Sequence, residues 1–491
     1  MITIQDFQKG QSSSPYLTDG AFAKAQNLDI FRKNGVARIN ELPVKFEKAT
    51  TGIMSDLPVT MFKHPSVDKA FYVCDNNNRM FYFTGADNNP PTTASDYGTN
   101  SGKFGIHWKG YLLGAKSTTL RYYSAGWNLW QTLGSVAEHF MIHSEYDDKV
   151  YICDDDGVAI LEETAGQTFD PTSGATFNFA QAASAGYVLP DGFKAFGLAE
   201  QKEKIIIAAI KTKSAGIIDV PETTFFVWDR TDAAGTFATA ESIISFPEAN
   251  LTTLKTIANR VYITGGQTGN VYIFSESGLQ PLTQIPFDYT GKNIRIGELG
   301  HQSIAYWNDM LLLGVSSDDG LYPAGIYALK DGKLCHQFLP SELEDGSDKD
   351  IRIGAIFPMD PQTLFFGWEN NTDGTWGIDK VTTNGSRYTG YNCYLESLVY
   401  PVGTKNRTKS FDKVEVQLAK ALVTGQGVKF KYREEEDGTW ITLGTVEYTA
   451  GQIDRTLEFP GIHGVEQVQV RVELTSTSTN SPEVLTIRLL D

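Results

Sequence analysis

A short apolar motif recurs along most of the chain and sets the expected fold. Its copies are FYVC (71–74), YLLG (111–114), VYIC (150–153), IIIA (205–208), VYIT (261–264), LLLG (311–314) and LFFG (364–367). Successive copies end 39 to 56 residues apart, a period typical of repeat proteins built from small β-sheets. Nearly every position in a copy is apolar, which indicates strands buried on both faces.

A second strand-forming run follows each copy, and another precedes it. The following runs are MFYF (80–83), LRYY (120–123), VAIL (158–161), FFVW (225–228), VYIF (271–274), GIYA (325–328) and WGID (376–379). The preceding runs include KFGIHW (103–108), HFMIHS (139–144), SIAYW (303–307) and residues 352–357. A meander of this size cannot bury both faces alone, so similar sheets are expected to stack around an axis. We therefore predict an all-β chain in which residues 51–395 form an approximately seven-bladed β-propeller.

The pattern changes near residue 395. The segments FDKVEVQLA (411–419), VKFKYRE (428–434), TWITLGTVEY (439–448), IDRTLEFP (453–460), VQVRVELT (468–475) and VLTIRLLD (484–491) alternate apolar and polar residues. Such alternation is typical of strands with one wet face, and it predicts a C-terminal antiparallel β-sandwich over 396–491, jelly-roll-like or immunoglobulin-like. Residues 1–50 are expected to form an extended arm that contacts neighbouring subunits or the propeller. The Ala-, Gly- and Thr-rich stretch from Thr164 to Gly192 is predicted to be a surface loop or insertion.

Composition and charge narrow the classes of function. The 491 residues are 41% apolar and 21% charged, with a net charge of −17. Lys and Arg do not cluster, so we expect no sequence-specific binding of nucleic acid. No apolar run approaches the roughly 20 residues of a membrane helix, and the first residues do not resemble a signal peptide, so synthesis in a cytoplasm is expected. Cys74 and Cys153 occupy equivalent repeat positions, which predicts buried thiols rather than a disulfide.

Three features suggest chemistry, and each has a structural explanation that is favoured over it. His64, His107 and His143 end the first strands of three units and would together suit a metal or ligand site, or would be turn residues inherited from the repeat. The acids Asp154, Asp155 and Asp156, followed by Gly157, are consecutive, unlike the alternating ligands of a calcium loop, so a hairpin turn is predicted. DGTW occurs at 373–376 and 437–440 and is predicted to form turns followed by a strand Trp. With no Walker loop, nucleophile elbow or metal motif, we predict no catalytic residue, no metal ligand, no cofactor and no enzymatic activity.

The opening segment from Phe7 to Asn40 provides the one family resemblance. A Gly- and Ser-rich arm leads to a Pro, then to an Asn and to a Gly shortly before an Arg; the residues are Gly10, Ser12 to Ser14, Pro15, Asn27, Gly35 and Arg38. This segment resembles the start of virion proteins of short-tailed bacteriophages, the nozzle or tail tubular and head-completion proteins that contain propellers. The resemblance implies a virion tail location, other tail proteins as partners and a homo-oligomeric ring, sixfold or threefold.

The resulting hypothesis is a non-catalytic structural component of a bacteriophage tail, at the nozzle, hub or tip, acting in assembly and in host attachment or DNA delivery. The alternative is a receptor-binding protein that binds host surface glycans. A glycan-degrading propeller enzyme is a further alternative, which would require paired carboxylates in a cleft.

Overall fold

The protein is all-β in the part of the chain that the structure, a computed structural model, describes. That part comprises residues 1–5, 7, 10–11, 21–33, 35–48, 54–86, 93–98, 102–116, 119–123, 126–132, 140–154, 157–163, 175–178, 186–211, 223–230, 242–248, 251–265, 269–275, 277–285, 294–296, 302–317, 324–343, 350–389, 393–403, 408–435 and 438–491. One short 3-10 helix, Ser341–Leu343, accompanies the strands of these residues. Within the same residues, no helix has the length and apolar character needed to cross a membrane.

Short strands of the N-terminal segment come first. They are β1 (Ile2–Gln5), β2 (Phe22–Gln26), β3 (Leu28–Asp29), β4 (Ala37–Ile39) and β5 (Val44–Lys48). β3 pairs with β4 of the same segment. The other pairings of the segment are with strands near the C-terminal end of the chain: β1 and β4 pair with one strand there, and β2 and β5 with two others.

The middle of the chain is a succession of antiparallel meanders. The first comprises β6 (Pro58–Lys63), β7 (Phe71–Asp75), β8 (Met80–Thr84) and β9 (Thr93–Asp96), and the second β10 (Gly105–Trp108), β11 (Tyr111–Lys116), β12 (Thr119–Tyr123) and β13 (Trp127–Thr132). The third comprises β14 (Met141–His143), β15 (Val150–Asp154), β16 (Gly157–Glu163), β17 (Ala175–Asn178) and β18 (Tyr187–Val188). The fourth comprises β19 (Phe193–Gln201), β20 (Lys204–Lys211), β21 (Thr223–Trp228) and β22 (Ser242–Ser245), and the fifth β23 (Leu251–Ile257), β24 (Arg260–Gly265), β25 (Asn270–Ser275) and β26 (Gly278–Gln284).

A nine-stranded sheet contains the remaining meanders. Its first part comprises β27 (Ile294–Ile296), β28 (Ile304–Trp307), β29 (Met310–Ser317), β30 (Gly325–Lys330) and β31 (Lys333–Phe338). Its second part comprises β32 (Ile351–Asp360), β33 (Thr363–Asn370), β34 (Thr375–Thr382) and the N-terminal strand β5. A single residue pair, Ser317 with Ile351, joins the two parts.

The meanders are arranged around an axis, as in a β-propeller. From β10 onward, the first strand of each meander contacts the first strand of the next, and β32 of the last meander contacts β6 of the first. This closing contact is tight: a Cβ on Gly354 would lie 1.9 Å from the carbonyl oxygen of Pro58, and one on Gly367 would lie 2.6 Å from the Pro58 ring. Only glycines allow these backbones to approach so closely.

The ring is also closed by a strand from the distant N-terminal segment. β5 pairs with β34, with Ile378 opposite Glu47 and Lys380 opposite Val44. Phe46 of β5 is 2% exposed and contacts aromatic rings of the first and last meanders. Its ring centroid lies 5.8 Å from that of Phe71 and 4.9 Å from that of Phe365. The first meander, the last meander and the N-terminal strand therefore share one core.

Two tryptophans at equivalent positions form hydrogen bonds to the next meander. Trp108 ends the first strand of the second meander, and its Nε1 donates to the carbonyl oxygen of Asp148 in the third. Trp307 ends β28, and its Nε1 donates to the carbonyl oxygen of Asp360 at the end of β32, 3.0 Å away. Equivalent tryptophans thus satisfy equivalent carbonyl groups of the next meander, which fixes the relative position of adjacent sheets.

The C-terminal strands form two six-stranded sheets together with the N-terminal segment. These strands are β35 (Cys393–Ser397), β36 (Tyr400–Pro401), β37 (Lys409–Leu418), β38 (Gly427–Arg433), β39 (Ile441–Glu447), β40 (Asp454–Val465), β41 (Gln467–Thr475) and β42 (Glu483–Leu490). One sheet has the order β3-β4-β42-β37-β40, with β1 also on β42, and the other has β2-β35-β41-β38-β39, with β36 also on β41. Apolar residues of both sheets belong to a single cluster that extends into β28 to β34 of the propeller.

Most strand predictions are confirmed. Every copy of the recurring motif, every run that follows it and all six C-terminal segments coincide with observed strands. The prediction of a loop from Thr164 to Gly192 is wrong in part, because β17 and β18 of this stretch both pair with β16. The small Ala and Thr residues of this stretch show little alternation of apolar and polar positions, so no strand was predicted. Backbone hydrogen bonds nevertheless hold an edge strand, and they do not depend on that alternation. The boundaries at residues 50 and 395 remain predictions.

Candidate functional site in the central cavity

A partly open polar cavity lies where the first strands of the meanders converge. This central cavity has a volume of about 630 Å³. It is lined by residues of β6, β10, β14, β19 and β23 and by Gln302 just before β28. Because each side is a strand already paired within its own sheet, the walls are held rigidly.

Lys255 of β23 is the cationic side chain set deepest in the wall. Its Nζ donates a hydrogen bond to the carbonyl oxygen of Ile304, 2.8 Å away, in the next meander. In the described part of the chain, no carboxylate forms an ion pair with it. Burial disfavours the charged ammonium and lowers the pKa of Lys255 to about 8.

Opposite charges on another part of the wall neutralise one another. Glu200 of β19 pairs with Arg230, accepts a hydrogen bond from the Ser144 hydroxyl and accepts another from the backbone N–H of Glu145 at 3.0 Å. Arg230 also pairs with Asp147, 3.1 Å away. This cluster joins the third and fourth meanders and leaves the Glu200 carboxylate fully engaged.

Asp147 shows the electrostatic effect of the same cluster. Burial alone would raise the pKa of Asp147, but hydrogen bonds involving Ser144 and Tyr151 and the charge of Arg230 outweigh it, and the pKa is lowered. The Tyr151 hydroxyl donates to Asp147 Oδ2 at 2.6 Å. The carboxylate is therefore charged in the folded protein down to an unusually low pH.

Of the three histidines that the sequence singles out, the structure brings two together. The ring centroids of His64 and His107 lie 6.3 Å apart. His64 Nδ1 accepts hydrogen bonds from the backbone N–H groups of Ser66 and Val67, so that nitrogen is not available as a ligand. Burial lowers the pKa of both rings, and the charge of His64 lowers that of His107 further, so both are neutral at neutral pH.

His143 has a different environment. Its Nε2 lies 2.8 Å from the Asp148 carboxylate, and its side chain is part of the wall of the central cavity. No group of three or more His, Cys, Asp or Glu residues suited to a metal ion occurs among the residues that the structure describes. His143 is held by Asp148 of its own turn.

The other candidate motifs have structural positions. Asp154 pairs with Gly157 across the turn between β15 and β16, as predicted, while residues 155 and 156 lie outside the described part. Asp373 and Gly374 form the turn before β34, and Trp376 is on that strand. In the second DGTW motif, residue 437 lies outside the described part, and Trp440 precedes β39 rather than lying on it, as the strand begins at Ile441. All four cysteines are buried thiols.

The residues of the N-terminal resemblance lie at the junction of the propeller and the C-terminal sheets. Asn27 has a left-handed φ of 57° and is fully buried. Its side-chain oxygen accepts a hydrogen bond from the Leu339 N–H at 2.8 Å. Arg38 pairs with buried Asp29 at 2.8 Å, and Gly10 packs against the backbone of Leu334. Gly35 has a φ of 72°, and residues 12–15 lie outside the described part.

An aromatic surface lies between the first two meanders. This tyrosine cluster consists of Tyr82, Tyr97, Tyr123 and Trp127, all partly buried. The rings of Tyr97 and Tyr123 stack with centroids 4.3 Å apart and an interplanar angle of 3°. Trp127 Nε1 donates to the Tyr97 carbonyl oxygen at 2.7 Å. Partly exposed aromatic rings that are held in place suit contact with a ligand or partner.

Lys255 and the cluster of Glu200 and Arg230 were not identified from the sequence. The sequence offered one indication of this site: a lysine in the middle of a strand otherwise composed of Leu, Thr and Ile (LTTLKTI, 251–257). A charged residue is unusual in the middle of such a strand. Arg230 and Glu200 are separated along the chain by two strands, and only the folded meander brings them together.

Comparisons with known proteins give structural likeness alone. No protein-family model matches the sequence, and no curated protein matches it. The β-propeller domain of Cps50 (Swd1) from Myceliophteria thermophila is similar with a TM-score of 0.44 and 9% identity, over 69% of this chain and 100% of that one. The extracellular domain of a protein described as a one component system from B. thetaiotaomicron has a TM-score of 0.43 and 12% identity, over 97% of this chain and 62% of that one. The propeller architecture itself rests on the strand pairings of this chain.

Proposed function

We propose that this protein is a non-catalytic structural component of a bacteriophage tail, a nozzle, hub or tip protein that acts in virion assembly and in host attachment or DNA delivery. The observation that carries the proposal is the N-terminal segment. Its sequence resembles that of propeller-containing phage tail proteins. Its residue Asn27 is bonded to Leu339 of the propeller, and its residue Arg38, in β4, pairs with Glu483 of β42 in a C-terminal sheet. A part that transmits force between neighbours needs such rigid joints and no reactive group.

The proposed assembly has seven blades and a C-terminal sandwich. The meanders beginning at β6, β10, β14, β19, β23, β28 and β32 would each be one blade, with β5 as the outer strand of the last. The two six-stranded sheets, which share one apolar cluster, would be the two layers of the sandwich. We place this unit in a homo-oligomeric ring in the tail, with other tail proteins as neighbours.

Quantitative mass spectrometry of purified particles tests the proposal. The phage that encodes this sequence should contain the protein in a fixed number of copies per particle, equal to a multiple of the ring symmetry. Particles of normal infectivity that lack the protein would contradict the proposal.

A second function is favoured by the tyrosine cluster, namely binding of host surface glycans. Aromatic faces pack against the apolar faces of sugar rings while their hydroxyl groups form hydrogen bonds. A glycan array would detect this binding. Replacing Tyr123 by Ala should abolish retention, while Tyr306→Ala, which removes an exposed tyrosine elsewhere (51% exposed), should not. Equal retention of both variants would contradict the assignment.

A further inference from the structure

The central cavity has more free hydrogen-bond donors than acceptors on its inner wall. The Lys255 ammonium has three N–H donors and uses one of them on the Ile304 carbonyl oxygen. The Thr60 hydroxyl, in a residue 2% exposed, has no hydrogen-bond partner among the described residues. The Gln302 side-chain oxygen accepts from the Met61 N–H at 2.8 Å, which leaves the Gln302 amide N–H₂ group available.

The acceptors in the same wall are already used or are exposed. The Glu200 carboxylate is engaged by Arg230, Ser144 and the Glu145 N–H. Glu145 is exposed to solvent, and His143 is paired with Asp148. Within the described ranges of the chain, the hydrogen-bonding groups of the wall that still lack partners are therefore N–H donors of the Lys255 ammonium and neutral groups of Thr60 and Gln302.

We propose that the central cavity binds a small ligand bearing an oxyanion, either a carboxylate or a phosphate, through Lys255. The oxyanion accepts from the remaining Lys255 N–H donors, and Thr60 and Gln302, which line the same cavity, provide further donors. A buried polar group without a partner is costly, so a ligand that bonds to the Thr60 hydroxyl removes that cost. This proposal does not depend on the place of the protein in a virion.

The protonation of Lys255 makes the binding depend on pH. The free ammonium loses its proton near pH 8. An oxyanion that binds only the protonated amine is therefore held at full affinity below that pH, and its affinity falls as the pH rises above it. The other charged groups of the cavity wall are Glu200, which pairs with Arg230, His143, which pairs with Asp148, and the exposed Glu145 and Lys202.

Isothermal titration calorimetry on the full-length protein tests the proposal with two probes, inorganic phosphate and glucuronate, and with uncharged glucose as a control. Lys255→Gln should weaken binding of the recognised probe about tenfold to a hundredfold, the usual value of a hydrogen bond to a charged group. Lys413→Gln, in β37 of a C-terminal sheet, removes the same charge away from the cavity and should leave the affinity unchanged. Binding of phosphate alone or of glucuronate alone identifies which oxyanion the cavity takes.

A pH series on the unmodified protein provides an independent measurement that needs no variant. Glucuronate affinity, measured between about pH 6 and pH 10, should be constant at the acidic end and fall up to tenfold per pH unit above about pH 8. The proposal is overturned if neither probe binds, if Lys255→Gln binds as well as the parent protein, or if glucuronate affinity does not change with pH.

Discussion

A single added methyl group should open the ring at the contact between its first and last meanders. Gly354 lies in β32 at a β-bulge, where the register with β33 shifts. In Gly354→Ala the new Cβ would stand 1.9 Å from the Pro58 carbonyl oxygen and 3.0 Å from Leu57 Cδ1. The clash is with backbone, which cannot rotate away as a side chain can, so β32 and β6 must separate until the first distance exceeds 3.0 Å.

The expected cost follows from a matched comparison. Overpacking of a well-packed core costs about 1–3 kcal/mol, and Gly→Ala at an unstrained site gains about 0.4–1 kcal/mol through the unfolded chain. Gly427 of β38 is the control, because its nearest atoms to an added Cβ are at 3.5 Å and 3.7 Å, ordinary contact distances. Neither glycine has a left-handed φ. Gly354→Ala should therefore be about 1.5–4 kcal/mol less stable than Gly427→Ala.

Urea unfolding and hydrogen exchange together measure this difference. The midpoint in urea should fall for Gly354→Ala, and amide exchange should accelerate in β6 and β32 before other strands. Exchange matters because a chain of this size need not unfold in one step. Equal midpoints for the two variants, with unchanged exchange in β6 and β32, would refute the closure of the ring by this contact.

Three other predictions concern the N-terminal segment and the charged cluster. Phe46→Ala removes a ring that is 2% exposed, so it should lower the free energy of unfolding by about 3–5 kcal/mol and accelerate amide exchange in β5. Phe46→Leu should lower it much less. Similar urea midpoints for the two variants would contradict the role of Phe46. Asn27→Ala should lower the free energy of unfolding by about 2–4 kcal/mol, because it removes the hydrogen bond to Leu339 and places a Cβ at a left-handed φ. Asn27→Gly should cost about 1 kcal/mol less, because glycine has no Cβ to strain that φ. Thermal unfolding would rank the two variants, and the reverse order would be inconsistent with the geometry. The pKa of Asp147 is lower in the folded than in the unfolded protein, so Asp147 stabilises the fold above the ordinary aspartate pKa, and this stabilisation is lost as the pH falls below it. Asp147→Asn should therefore make stability depend less on pH on the acid side. An unchanged pH dependence would argue against the ion pair with Arg230.

The pH prediction compares the parent protein with Asp147→Asn because another buried acid changes the stability in the opposite direction as the pH falls. Burial raises the pKa of Asp379, although Ser341 and Trp368 donate hydrogen bonds to its carboxylate. Protonation of that group on acidification therefore favours the folded state relative to the unfolded one. The difference between the parent protein and Asp147→Asn isolates the contribution of Asp147.

The meanders were predictable because their evidence is local. Segments such as IIIA (205–208) and FFVW (225–228) show their strand character within a few residues. Turn residues are a second local signal, as in the turn between β7 and β8, where Asn78 has a left-handed φ of 61°. The role of β5 was not predictable in this way. Its sequence, VKFEK, is that of any edge strand, and its partner β34 lies more than 300 residues further along the chain.

The candidate site was hidden from the sequence for a similar reason. Lys255, Thr60 and Gln302 come from three different meanders and face one cavity only when the ring is closed. The histidines gave a stronger sequence signal because they recur at equivalent strand ends. The contacts of each ring depend on local turns, such as the one that pairs His143 with Asp148, and the recurrence could not show these contacts.

The central claim, a structural role in a phage tail, is tested most directly by electron cryomicroscopy of the intact particle. The account predicts density for several copies of the chain around the tail axis, each with its propeller and its N-terminal segment placed as described above. Density that shows no copy in the tail, or a single peripheral copy with no contact to other tail proteins, would contradict it.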